Sequence, residues 1–183
     1  VRYFYADATI TVEAPIFQQF NPCFVVALTP VSMAVFGALA KRGKEPSAPR
    51  KIAYGMLVAA LAYMVMTVAS IGLVDPATQK AAGSAAVRVS ENWLISTYFI
   101  LTFAELLLSP IGISFVSKVA PPKYKGMMMG GWFVATAVGN LLVSIPALLW
   151  GQSLLIVWGV LASLCLCSAG FMFAIMRRLE KVA

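Results

Sequence analysis

The chain has 183 residues, 61% of them hydrophobic and only 11% charged, with a mean hydropathy of +0.86 and a formal net charge of +7. A soluble domain carries about a quarter charged residues, so a soluble core cannot hide this apolar surface and lipid must solvate much of it. The positive charges fall in short clusters between apolar runs, which is the pattern of membrane topology rather than of a nucleic-acid-binding face.

Histidine, the commonest metal ligand and general base, is absent. Cys23, Cys165 and Cys167 all sit inside apolar runs. They read as packing residues, with no disulfide framework and no zinc pattern. The sequence opens on Val1 without a signal peptide, so it reads as a fragment. Residues Val1 to Ala6 are expected to be the end of an earlier helix.

A bilayer core takes about 20 apolar residues in a helix. Five stretches qualify: Phe20 to Leu39, Ile52 to Val74, Trp93 to Val116, Gly126 to Trp150 and Leu154 to Met176. Unbroken runs of this length lack the alternation of barrel strands. The expected fold is therefore all-α, a polytopic bundle of membrane helices.

The first span opens with Asn21-Pro22 and carries Thr29-Pro30 half-way along. Two readings of Asn21 are open: a helix N-cap at the outer surface, or a polar group reaching a cavity. Pro22 and Pro30 are expected to bend the helix. A basic loop follows, with Lys41, Arg42, Lys44, Arg50 and Lys51, in which Pro46 and Pro49 act as breakers. After the second span, the segment from Asp75 to Asn92 is rich in Ala, Gly and Ser and is expected to be a mobile outer loop without chemistry.

The third span holds the one ionisable residue deep in a predicted helix, Glu105. A charge there costs about 3 kcal/mol on insertion scales, so it faces a cavity or a partner. Tyr98, Thr102, Glu105, Ser109 and Gly112 follow a three/four spacing and so share one helix face. Pro110, next to Ser109, removes a backbone donor and marks a bend of the kind that shapes transporter sites. A structural, hydrogen-bonded Glu105 and a simple packing kink are the plainer alternatives.

A second basic loop carries Lys118, Lys123 and Lys125 around Pro121-Pro122. In the fourth span Trp132, Thr136 and Asn140 share a face and read as a cavity wall. Gly131, Ala135 and Gly139 form a small-residue ridge suited to close helix packing. Met127-Met128-Met129 reads as packing or lipid-facing surface. The fifth span ends in Arg177, Arg178 and Lys181. The three basic segments are expected to be cytoplasmic, together with the C-terminus, and the remaining loops outside.

The order of motifs is specific. The segment Phe17-Gln18-Gln19-Phe20-Asn21-Pro22-Cys23-Phe24 resembles the opening of the eighth helix of proton-dependent oligopeptide transporters, a branch of the major facilitator superfamily. The run from Glu105 through Ser109-Pro110-Ile111-Gly112 to Lys118-Val119-Ala120-Pro121 is similar to that family's tenth-helix signature. Gly126 to Phe133, followed by Ala137-Val138-Gly139-Asn140, resembles its eleventh helix.

The resemblance implies the C-terminal half of a two-half transporter in the inner (plasma) membrane. That transporter takes up di- and tripeptides by alternating access, with protons as the coupling ion and no other cofactor. It implies that Glu105 meets the peptide's amino end and takes part in proton coupling. It implies that Asn21, Ser109, Trp132 and Thr136 line the pocket. The expected partners are the small peptide, the lipid bilayer and an N-terminal six-helix half that this sequence lacks, without which the fragment is not expected to transport. Asp7 lies just past the expected seventh helix and receives no role. Rival readings are a facilitator for another small solute and an inactive remnant. An intramembrane enzyme is disfavoured by the absence of histidine and the single mid-membrane acid.

Overall fold

The computed structural model of the chain describes residues 2–5, 8–11, 19–73, 91–142, 144, 148 and 153–181. It opens on a short antiparallel hairpin, β1 (Arg2–Tyr5) against β2 (Ala8–Thr11), in the register Arg2↔Thr11 to Tyr5↔Ala8. The helix end expected over Val1 to Ala6 is therefore corrected to a strand for its described residues. The physical reason is composition: Tyr3, Phe4 and Tyr5 pair in register with Ile10, Thr9 and Ala8, and aromatic and β-branched residues are enriched in strands.

All further described structure is helical. Helix α1 (Phe20–Lys41) closes on Gly43, whose φ of 64° only glycine adopts cheaply. Gly43 N–H donates to Ala40 O at 2.9 Å and Lys44 N–H to Leu39 O at 3.0 Å, the paired bonds of a Schellman stop. Pro30 lies inside α1 without interrupting it. Pro22 lies in the first turn, where the missing N–H would have no intrahelical partner. It starts the helix rather than bending it, which corrects the expectation for that residue.

Helix α2 (Ala48–Ala69) begins four residues before the expected Ile52. Pro49 was expected to break the loop, but a proline in the first turn is preorganised for a helix. The end comes at Ser70, whose hydroxyl donates to Met66 O at 2.8 Å, and Gly72 follows at φ 83°. Residues 74–90, most of the expected outer loop, lie outside the described residues; Glu91 and Asn92 already belong to α3 (Glu91–Val119). A short 3-10 turn at Pro122–Tyr124 leads into α4 (Lys125–Leu142), beyond which only Ser144 and Leu148 of the fourth expected span are described, both helical. Helix α5 (Leu154–Leu179) completes the bundle.

Helices α1, α2, α3 and α5 are each long and apolar enough to cross a membrane. At 1.5 Å per residue, the 29 residues of α3 span about 43 Å, more than the roughly 30 Å of a hydrocarbon core. Large side chains such as Val26, Met33, Met127 and Phe171 stay exposed, as lipid-facing positions do.

Helix α2 sits at the centre, with α3 on one side and α5 on the other; α3 in turn contacts α1 and α4. Lipid tails are as apolar as leucine, so helices meet through small residues and specific contacts rather than by hydrophobic burial. Ala53, Gly55, Ala60 and Ala62 of α2 are all buried. At Gly55 an added Cβ would stand 3.1 Å from Ala104 O and 3.1 Å from Leu107 Cβ, so α2 and α3 touch backbone to backbone there. On the other side Tyr63 stacks on Trp158 at 6.4 Å, and Tyr54 meets Phe173 edge-on at 6.3 Å. These pairs show that α2 and α5 run antiparallel.

The same antiparallel pair is tied at its end by an ionic clasp. Ser47 Oγ donates to Glu180 Oε1 at 2.6 Å, and Arg50 reaches the same carboxylate through Nε at 2.6 Å and Nη2 at 3.3 Å. The Ser47 hydroxyl and the Arg50 guanidinium hold the Glu180 carboxyl below its ordinary value of 4.5.

Two outcomes follow from this packing. Gly55→Val is expected to destabilise the protein by about 1–3 kcal/mol through overpacking, read as a lower thermal unfolding midpoint. Gly37→Val, where nothing lies within 4 Å, is expected to be near neutral. A lowered folded-state value also means that the Glu180 clasp adds stability above pH 4.5 and loses it as pH falls through that lowered value. Unfolding midpoints of wild type and Glu180→Gln are therefore expected to differ at pH 7 and to converge in acid; a gap that persists in strong acid contradicts the clasp.

Candidate functional site

The polar stripe of α3 faces a cleft of about 370 Å³ that is also lined by Asn21 of α1 and Ala59 of α2. Tyr98, Glu105 and Ser109 line it from α3 at spacings that bring them to one side of the helix. Glu105 is the middle residue of α3, so the cleft lies half-way along that helix.

Asn21 connects the two helices. Its Nδ2 donates to Glu105 Oε2 at 3.4 Å. Its Oδ1 lies 2.7 Å from Thr102 Oγ1, which is also 2.7 Å from Tyr98 O, so the one hydroxyl proton of Thr102 is shared between two acceptors. Thr102 is completely buried. The structure thus decides between the two readings of Asn21: the N-cap position is Gln19, and Asn21 turns its amide toward α3. Phe24 and Phe99, edge to face at 5.5 Å, seal the α1–α3 contact beside it.

Glu105 has no lysine or arginine partner among the described residues. One oxygen accepts the long bond from Asn21, and the carboxylate is otherwise open to the cleft. Ser109 lies one turn further on, exposed toward the same space. Pro110 follows inside an unbroken α3 and cannot donate to the carbonyl of Leu106 one turn earlier. This arrangement can receive a cation and a neighbouring donor or acceptor. It has no nucleophile–base pair, and the described residues hold no cluster of metal-ligating side chains.

The remaining predicted site residues lie elsewhere. The Trp132 indole is seated on Gly112, two turns along α3 from Glu105; a Cβ at Gly112 would overlap its six-membered ring. Thr136 is exposed and donates back to Trp132 O at 3.0 Å. Neither lines the cleft around Glu105. The ridge of Gly131, Ala135 and Gly139, expected to pack closely, is exposed, and nothing lies within 4 Å of a Cβ at either glycine. Thr102 was legible as part of the polar face, but its bond to Asn21 was not, because local spacing does not name a partner 81 residues away.

The POT family's sequence profile (PTR2) matches residues 5–153. The peptide transporter YePEPT of Yersinia enterocolitica is 38% identical over 125 residues, covering 68% of this chain and 23% of that protein. Dipeptide and tripeptide permease A of Escherichia coli is 29% identical over 133 residues, covering 73% and 24%. The crystal structure of peptide transporter POT in complex with sulfate superposes with a TM-score of 0.79 at 27% identity, covering 99% of this chain and 34% of that one. The chain thus spans about a quarter of the length of the curated relatives it matches. With the profile covering most of its length, the chain belongs to the POT family.

Proposed function

We propose that this chain is the C-terminal part of a proton-coupled symporter of di- and tripeptides, working by alternating access in the cytoplasmic membrane. The observation that carries this reading is the Asn21–Glu105 pair: a membrane-depth carboxylate, anchored by one neutral amide, open to a cleft and without a basic partner among the described residues. A peptide's ammonium group is the cation such a site lacks. The relatives are peptide transporters and permeases, which supports a peptide as the cargo, as does a POT family transporter solved with a thioalcohol conjugated peptide, which superposes at TM-score 0.71 and 25% identity.

Each residue then has a task. Glu105 receives either a proton or the peptide's amino end. Because both act at one carboxylate, their binding is thermodynamically linked. Asn21 holds that carboxylate in place, and Ser109 offers a second polar contact. Trp132 extends the wall two turns along the same face of α3, with Thr136 one turn along α4. The remaining helices of the transporter, an N-terminal half among them, supply the opposite wall. The basic segments and the C-terminus face the cytoplasm, in accord with the clustering of Lys41, Arg42 and Lys44 about the end of α1 and of Lys118, Lys123 and Lys125 between the end of α3 and the start of α4.

Glu105→Gln keeps an acceptor for Asn21 and removes only the charge and the titrating proton. In the full-length protein, gradient-driven uptake of labelled dialanine into proteoliposomes is expected to fall at least about tenfold, the scale of one charged hydrogen bond. Normal uptake by that variant would sink the assignment. Thr102→Val leaves Asn21 Oδ1 without its donor and is expected to cost about 1–3 kcal/mol of stability and to weaken uptake. Thr102→Ser, which restores the hydroxyl, is expected to recover both, and equal loss in the two variants would count against the hydrogen bond.

A further inference from the structure

A second cleft, of about 560 Å³, opens where the start of α2 and the ends of α3 and α5 meet. It belongs to the other side of α3: at about 100° per residue, Ser114 points half a turn away from Glu105. The two clefts therefore cannot hold parts of one small ligand.

The walls of this second cleft are graded. Along α3, Pro110 and Ile111 line it nearest the middle of the helix, Ser114 and Phe115 come one turn further on, and Lys118 stands nearest the helix end. Pro110 to Lys118 covers about 12 Å along α3. From α2, Lys51 joins the rim; its stem is mostly buried and its Nζ lies 4.4 Å over the Phe36 ring.

Charge at the rim is positive in excess. The acid that lines it, Glu180, is already engaged by Ser47 and Arg50. Lys51 pairs with Glu45. Lys118, and Arg177, Arg178 and Lys181 at the neighbouring end of α5, make no ion pair among the described residues. Ser114 makes no hydrogen bond there either, unlike Thr97, Thr102 and Ser163, whose hydroxyls are turned back to carbonyls of their own helices. The free N–H groups of the first turn of α2 add to the positive potential.

A ligand that fits carries a negative head and an apolar body. We propose that this cleft binds an anionic phospholipid of the cytoplasmic leaflet, with Lys118 on the phosphate and Lys51, shared with Glu45, as its second cation, Ser114 as a hydrogen-bond donor, and Ile111 and Phe115 against the first acyl carbons. Basic pockets between helix ends on the cytoplasmic side bind such headgroups in general. A free inorganic anion would satisfy the lysines and leave the apolar floor in water. The proposal rests on the orientation given under the proposed function, but the test below reads binding in detergent, so it stands or fails independently of uptake and of sidedness.

The experiment is native mass spectrometry of the full-length protein titrated with phosphatidylglycerol and, in parallel, with phosphatidylcholine. Preferential retention of phosphatidylglycerol is expected. Lys51→Gln combined with Lys118→Gln is expected to weaken it about tenfold, at about 1 kcal/mol or less per lysine. The Lys51→Arg/Lys118→Arg pair keeps the charge and is expected to retain the lipid, which separates loss of the site from loss of the fold. Lys123→Gln with Lys125→Gln removes the same charge outside the cleft and is expected to leave retention unchanged. Equal weakening by that control would overturn the site in favour of diffuse attraction, and displacement of the lipid by millimolar inorganic phosphate would overturn the lipid in favour of a small anion.

Discussion

Hydrocarbon forms no hydrogen bonds, so every polar group that enters it must be satisfied within the protein. Much of this structure is a consequence of that constraint. Ser70, Thr97 and Thr102 are buried, and each hydroxyl lies 2.7–2.8 Å from a carbonyl one turn earlier on its own helix. Among the described residues no buried side-chain nitrogen or oxygen is left without a partner. Thr102 goes further, because its hydroxyl also meets Asn21, and Asn21 passes the connection on to Glu105. A chain of polar contacts thus fixes α1 against α3 at the place where a charge must sit.

The same solvent explains why the helices touch where they do. Apolar surfaces gain little by meeting in lipid, so close approach needs small residues. Gly55 brings α2 onto Ala104 and Leu107 of α3, and Gly112 of α3 receives the indole of Trp132 from α4. Helix α3 is consequently a shared wall. One face carries Glu105 and Ser109 into the central cleft, and the other carries Ser114 and Lys118 toward the ends of α2 and α5. A movement of α3 would alter both clefts together, whereas Glu180, just past the end of α5, lines only the second.

Much of this was legible from residues alone. Apolar runs of membrane length and sparse charge dictate the helical bundle, and the single acid inside such a run is the one that lines the cleft half-way along α3. The failures have physical causes. A tetrad such as Arg2–Tyr5 is too short to carry a helix or strand period, so its pairing with Ala8–Thr11 was not visible. Pro22 and Pro49 were read as a bend and a breaker, but proline's effect depends on whether its turn is the first, and that depends on where the helix starts. Helical spacing grouped Trp132 and Thr136 correctly on α4 but says nothing of depth, and their helix meets α3 two turns from Glu105. Contacts between residues far apart in sequence, such as Ser47 with Glu180, leave no local trace.

The carboxylates of Glu180 and Glu105 show how environment separates two acids of one bundle. Glu180, at the helix ends, takes a hydroxyl and a guanidinium at short range and is spent on holding α2 to α5. Glu105, at the middle of α3, receives one neutral amide at 3.4 Å. A charge at that depth costs about 3 kcal/mol on insertion scales, and one hydrogen bond to a charged group is worth about 1.5–3 kcal/mol at good geometry, less at 3.4 Å. The remainder has to come from a proton, from water in the cleft or from a cation that arrives with the cargo. An acid left short of partners in this way favours whichever of these is present, and under the proposed function exchange among them is the step that coupling requires.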